Sequence, residues 1–186
     1  MTDIRFAACL PFILKEEGSD DDDPHDPGGR TSRGIIQREY DAWRRTHGEP
    51  VRDVWTATDE EVAAIYDAQY WQPWCAKMPA GVDLVFFDMS VLQGPHEATI
   101  LLQRALGVRA DGHIGLVTLA AGNVASSVRL IADVSDRRRA FFRGLHTFKY
   151  FGRGWLARVQ RIETAALHMA AVDAAYVGTI AQEVTP

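Results

Sequence analysis

The sequence predicts a mainly α protein with a short β-hairpin and loop lobe near its N-terminus. Two observations carry this reading. Apolar residues recur at helical spacing through most of the 186 residues, with caps and stops at the ends of the runs. Turn-forming residues instead crowd into residues 18–34, where two prolines and four glycines exclude a continuous helix and favour a loop followed by a short hairpin. A hydrophobic content of 47% with 24% charged residues is that of a globular chain, which at this length buries roughly 70% of its unfolded surface without a disulfide or metal scaffold.

Ile4 to Glu17 reads as the opening helix, capped by Thr2 or Asp3, with Pro11 removing one backbone hydrogen bond. Its end delivers Glu17 to the loop. Four adjacent aspartates, Asp20 to Asp23, follow; they repel one another, and their spacing is that of a solvated loop rather than a calcium site. Asp26 differs, because Pro24 and Pro27 stiffen the backbone around it and Gly28-Gly29 lets the chain double back. The hydroxyl of Thr31 comes five residues later. A helix-end Glu facing a loop Asp and a Thr supplies what glycoside hydrolysis needs: an acid for the leaving oxygen, a base, and a hydroxyl to hold water.

Helical spacing resumes at Ile36, Tyr40 and Trp43 and stops at Gly48. Thr58-Asp59-Glu60-Glu61 forms a capping box, opening a helix that runs into Tyr70-Trp71-Gln72-Pro73-Trp74. That aromatic cluster suits either stacking on sugar rings or closing the core. Val82 to Leu92 is almost continuously apolar, a central helix in which Asp88 must be paired or functional because burying a lone carboxylate is expensive. Gln93-Gly94-Pro95 then breaks the chain, dividing residues 1–93 from 94–186 in what reads as one compact unit. An amphipathic helix from Glu97 to Leu106 follows, then a tight Asp111-Gly112 turn and a second helix start. Two long helices, Ala125 to His146 and Trp155 to about Ile180, are expected to join through 150–154.

The net charge of −5 argues against nucleic acid as the main partner. The charges are unevenly spread, acids crowding residues 16–26 and 59–67 and bases 129–161. Arg137-Arg138-Arg139 alternates with Asp133 and Asp136, which favours a solvated, salt-bridged helix face over a phosphate or nucleic-acid site. Cys9 and Cys75 read as buried thiols, and the six histidines show no zinc spacing, so no metal or cofactor is expected. No apolar run reaches the length of about 20 residues that spans a bilayer. Asp3 and the break at Pro11 argue against a signal peptide, so synthesis in the cytoplasm is expected.

The pattern Glu17-Gly18 … Asp26-Pro27-Gly28-Gly29-x-Thr31-x-x-Gly34-Ile35 resembles the glycoside hydrolase family 108 muramidases, lysozyme-like enzymes of phages and bacteria. Ser19 stands where the family has a second glycine. The resemblance implies a lysozyme-like fold over residues 1–93 and cleavage of the β-1,4 bond between N-acetylmuramic acid and N-acetylglucosamine in peptidoglycan. It makes Glu17 the general acid, Asp26 the residue that positions or deprotonates water, and Thr31 the one that orients it. Arg33 either lines the cleft or pairs with the acidic loop; Tyr70, Trp71 and Asp88 are the other candidate substrate contacts. Residues Leu102-Gln103-x-x-Leu106-Gly107 … Asp111-Gly112-x-x-Gly115-x-x-Thr118 resemble the helical peptidoglycan-binding modules attached to such enzymes, and Gly154-Trp155-x-x-Arg158 resembles the family's C-terminal segment. The implied partner is the peptidoglycan glycan strand, reached after release or export; a non-catalytic wall-binding protein is the alternative.

Overall fold

The computed structural model describes residues 3–18, 30–71 and 73–184, with side chains through Ala175. Among these residues are eight α-helices and one two-stranded antiparallel sheet, so the fold is mainly α with a small N-terminal hairpin, as the sequence predicts. The chain divides into two compact units, Met1–Trp71 and Gln72–Pro186.

In the first unit, α1 (Ile4–Glu17) starts on Asp3, whose carboxylate accepts from the Arg5 amide at 2.9 Å, and it runs unbroken through Pro11. The other Asp3 oxygen accepts from the Trp71 indole at 3.1 Å, tying the first helical turn to the end of the unit. Strands β1 (Thr31–Ser32) and β2 (Ile35–Ile36) pair Ser32 opposite Ile35, leaving Arg33 and Gly34 as a two-residue turn. Both have positive φ, 49° and 80°, the combination that matches the twist of a tight hairpin. Helix α2 (Gln37–Thr46) follows directly, and α3 (Asp59–Tyr66) opens on the capping box at Thr58 and Glu61.

Glu61 does more than cap. Its carboxylate also receives Tyr40 Oη at 2.8 Å and the guanidiniums of Arg44 and Arg52, so one side chain fastens α2 and the 49–52 segment to α3. Burial pushes its pKa up, but the Thr58 amide, Tyr40 and Arg52 outweigh this and hold it below the ordinary 4.5. After α3 the chain widens into a single π turn, Asp67–Trp71. The core of this unit gathers Phe6, Cys9, Ile13, Ile35, Tyr40, Val54, Val62, Ile65, Tyr66 and Trp71, all buried.

The second unit is built on α4 (Val82–Gln93), buried at every position from Val82 to Ser90 and packed by α5 (Pro95–Leu106), α7 (Ser127–Arg143) and α8 (Phe148–Val184). The sequence division at 93/94 places this helix with the first region, whereas its apolar faces are covered by helices of the second unit. Gly81 starts it with φ of 80°, and a Cβ there would lie 2.2 Å from the Ala166 carbonyl of α8. No larger residue lets those backbones approach so closely.

Asp88, on the buried face of α4, meets two cations. Arg138 donates to one oxygen at 2.6 Å and Arg158 to the other at 2.8 Å, and Arg138 also donates to Gln93 at 3.0 Å. Asp88 and Arg138 are both 0% exposed, so Arg138 is buried rather than on the solvated face that the sequence predicts for 137–139. Burial pulls the Arg138 pKa down while Asp88 holds it up, with burial the larger effect.

The Asp111-Gly112 turn is organised from α5. Buried Gln103 donates to Asp111 Oδ1 and to the His113 carbonyl, each at 2.9 Å, and its own oxygen accepts from the Gly112 amide at 2.9 Å. Helix α6 (Leu116–Val124) starts just beyond. The C-terminal helix begins at Phe148 and passes straight through 150–154, where the sequence places a connection. Gly152 is there for space: a Cβ would lie 2.5 Å from the Phe148 ring, which folds back along the first turn. Cys9 and Cys75 are buried and in no disulfide. No single described helix is long and apolar enough to cross a membrane.

Candidate active site

Glu17 is the last residue of α1, and its side chain turns inward, with Oε1 buried. The carboxylate presses against the tip of the hairpin. A Cβ built on Gly34 would lie 2.8 Å from Glu17 Oε2, 3.0 Å from its Cγ and 2.6 Å from Tyr66 Oη. A glycine is therefore required here twice, by its backbone angle and by the approach of the acid. Tyr66 donates to the Arg33 carbonyl at 2.7 Å, which fixes the turn beside Glu17.

The hairpin is braced on its other side. Arg33 pairs with Asp59 at 2.6 Å and donates to the Ala57 carbonyl at 2.6 Å, so its guanidinium anchors the turn to the start of α3. The Thr31 carbonyl accepts from the Trp55 indole at 3.2 Å, and Trp55 in turn lies under the Arg30 guanidinium, 4.5 Å from the ring centre. Thr31 itself is half-buried, opposite Ile36 in the register. The π turn brings Tyr70 into the field of two carboxylates. Burial and the charges of Glu39 and Glu17 push its pKa above 10.0, so Tyr70 remains a neutral phenol able to donate a hydrogen bond.

The structure thus brings Glu17, the Thr31–Gly34 hairpin and Tyr70 into one neighbourhood. Asp26 and the aspartate run at 20–23 lie outside the described residues. Two of the sequence candidates have other work. Trp71 is 0% exposed, edge-on to Phe6 at 5.6 Å and bonded to Asp3, so it closes the core and offers no face to a sugar. Asp88 is enclosed with Arg138 and Arg158 in the second unit and is structural there. Tyr66 and Glu39 were not singled out in the sequence. Tyr66 precedes Tyr70 by one turn, and that i, i+4 tyrosine pair is the sequence mark it carries; Glu39 carries none. Among the described residues no group of His, Cys, Asp and Glu could hold a metal ion.

The model for glycosyl hydrolase 108 matches residues 10–94, the stretch that contains Glu17, the hairpin and the π turn. A solved structure, that of Brucella abortus SagA, is 38% identical and matches with a TM-score of 0.76, over 89% of this chain and 95% of that one. The chain belongs to the glycosyl hydrolase 108 family. It is a glycoside hydrolase, and the family match spans the geometry described above. No curated protein matches the sequence.

Proposed function

We propose that the protein is an N-acetylmuramidase, cleaving the β-1,4 bond between N-acetylmuramic acid and N-acetylglucosamine in peptidoglycan. The observation that carries this reading is the Glu17 carboxylate, half-buried at the end of α1 and held against Gly34 and Tyr66. In the proposed mechanism Glu17 protonates the leaving glycosidic oxygen. Asp26 deprotonates a water that Thr31 orients, and attack from the opposite face inverts the anomeric centre. Inversion requires Glu17 and Asp26 to stand about 6.5–9.5 Å apart, whereas about 5 Å accompanies retention. Tyr70, kept protonated, donates to a sugar oxygen, and Arg33 shapes the site by holding the turn. Residues 94–186, with their Gln103-centred turn, are proposed to hold the enzyme on the wall.

The test is digestion of purified peptidoglycan followed by mass spectrometry and proton NMR of the fragments. New muramic acid reducing ends, released first as the α-anomer, are expected from the wild type and absent with Glu17→Gln. Wild-type-like clearing by that variant rules out the assignment. Retention of the protein on sacculi without new reducing ends leaves only wall binding.

A further inference from the structure

The corner between α7 and α8 carries a charge pattern found nowhere else in the chain. Residues 137–162 hold seven arginines and one lysine with no aspartate or glutamate. The whole protein is −5, so with +8 here the remainder carries −13. Part of this charge is neutralised inside the fold: Arg138 and Arg158 share Asp88, and Arg139 pairs with Asp136 and Glu163. Arg143, Lys149 and Arg153 are exposed, and among the described residues none has a carboxylate partner.

The same corner projects aromatic rings. Tyr150 is 71% exposed and Phe151 57%. They are backed rather than loose, since Phe151 lies 5.6 Å from Trp155, and Trp155 stacks at 5.0 Å on buried Phe142. Lys149 sits 4.7 Å over the Tyr150 ring. On a helix, Lys149, Arg153 and Tyr150 fall within an arc of about 100°, and Phe151 lies about 100° beyond Tyr150, so the first two turns of α8 present the cations beside one ring with the second ring at the flank.

We infer that this corner docks on an anionic phospholipid surface, with Tyr150 and Phe151 entering the headgroup region and Arg143, Lys149 and Arg153 meeting lipid phosphates. Tyrosine and other aromatic rings favour that depth, and flanking lysines and arginines reach outward from it to the phosphates. Membrane attraction falls off within a Debye length of about 10 Å, so the acidic remainder of the chain does not cancel a contact made at one corner. Nucleic acid fits less well, because the chain as a whole carries a net charge of −5. The contact inferred is a peripheral one, made by side chains at the surface; no single described helix is long and apolar enough to cross a membrane.

Vesicle flotation tests this with the full-length protein. Vesicles of two parts phosphatidylcholine to one part phosphatidylglycerol are expected to bind it about 100-fold more tightly than pure phosphatidylcholine, at about fivefold per cation, and to release it in high salt. Neutralising two cations, Lys149→Gln with Arg153→Gln, is expected to weaken binding about 25-fold. Replacing the rings, Tyr150→Ser with Phe151→Ser, is expected to weaken it more than about tenfold. Lys149 and Arg153 are exposed, so their replacement is expected to leave the melting temperature unchanged; because Phe151 packs on Trp155, the ring variant is assayed for binding at a temperature where its own melting curve shows it folded. Equal binding to both vesicle types, no binding, or full binding by the variants overturns the inference. So does loss of sacculus or DNA retention by the variants with vesicle binding unchanged, which assigns the corner to another polymer.

Discussion

Substituting Asp88 by Asn keeps the shape of the side chain but removes its charge and turns one of its two acceptor oxygens into an NH2 donor. The buried group then holds two guanidiniums and no anion, in a place where Asp88 and Arg138 are 0% exposed. Of the two bonds of 2.6 and 2.8 Å, one is weakened by loss of the carboxylate charge and the other is lost, because an amide NH2 cannot accept from a guanidinium. Breaking a buried pair in this way costs about 3–5 kcal/mol, a large share of the 5–15 kcal/mol that holds an ordinary domain folded. At about 2–4 °C per kcal/mol for a chain of this size, the melting temperature is expected to fall by roughly 6–20 °C. Thermal unfolding followed by circular dichroism reads this directly. The triple replacement Asp88→Leu, Arg138→Met, Arg158→Met is expected to recover much of the loss, because it removes the stranded charges as well. A variant Asp88→Asn that melts within about 2 °C of wild type refutes the reasoning, for it means water or another anion already serves the two arginines.

Gly34→Ala is expected to reduce hydrolysis about 100-fold by displacing the Glu17 carboxylate, with a stability cost of only about 1–2 kcal/mol from the positive φ; the two are separated by assaying turnover and melting on the same sample. Glu61 has a folded pKa below its ordinary 4.5, so its stabilisation is present above that value and lost as the pH falls through the lowered one. Glu61→Gln should therefore melt lower at neutral pH and show a shallower acid limb below pH 4.5, measured as melting temperature against pH. Gln103→Ala strips the Gly112 amide and the Asp111 carboxylate of their shared partner and should cost about 2 kcal/mol, with hydrogen exchange rising first across residues 111–118.

Much of this fold was legible because local chemistry specified it. Asp3 and the Thr58–Glu61 box mark helix starts through bonds that a sequence displays within four residues. The hairpin announced itself through the prolines and glycines of 18–34, and the end of the first helix at Glu17 through the turn residues that follow it. Connections made at long range were not legible. Nothing near Gly152 says that its hydrogen stands where the Phe148 ring lies, so two glycines read as a break inside what is one continuous helix. The aromatic cluster at 70–74 left two readings open, and only the enclosure of Trp71 by Phe6 and Asp3 decides for that ring. Tyr66 escaped notice for the same reason: its hydroxyl matters because of a carbonyl 33 residues away.

The seat of Gly81 against the Ala166 carbonyl has a bearing on how the protein is made. Every part of the unit Met1–Trp71, with Glu17 and its hairpin, leaves the ribosome before the second unit has begun to emerge. Among the described helices, the one on which Gly81 rests is translated after the others, and Val159, Ile162, Ala166 and Ala170 along it are buried in the core. At about 5–20 residues per second, the unit that holds Glu17 precedes its companion by roughly ten seconds. During that interval the nascent chain carries α4 with its apolar sides uncovered, the moment at which a chaperone has most to grip.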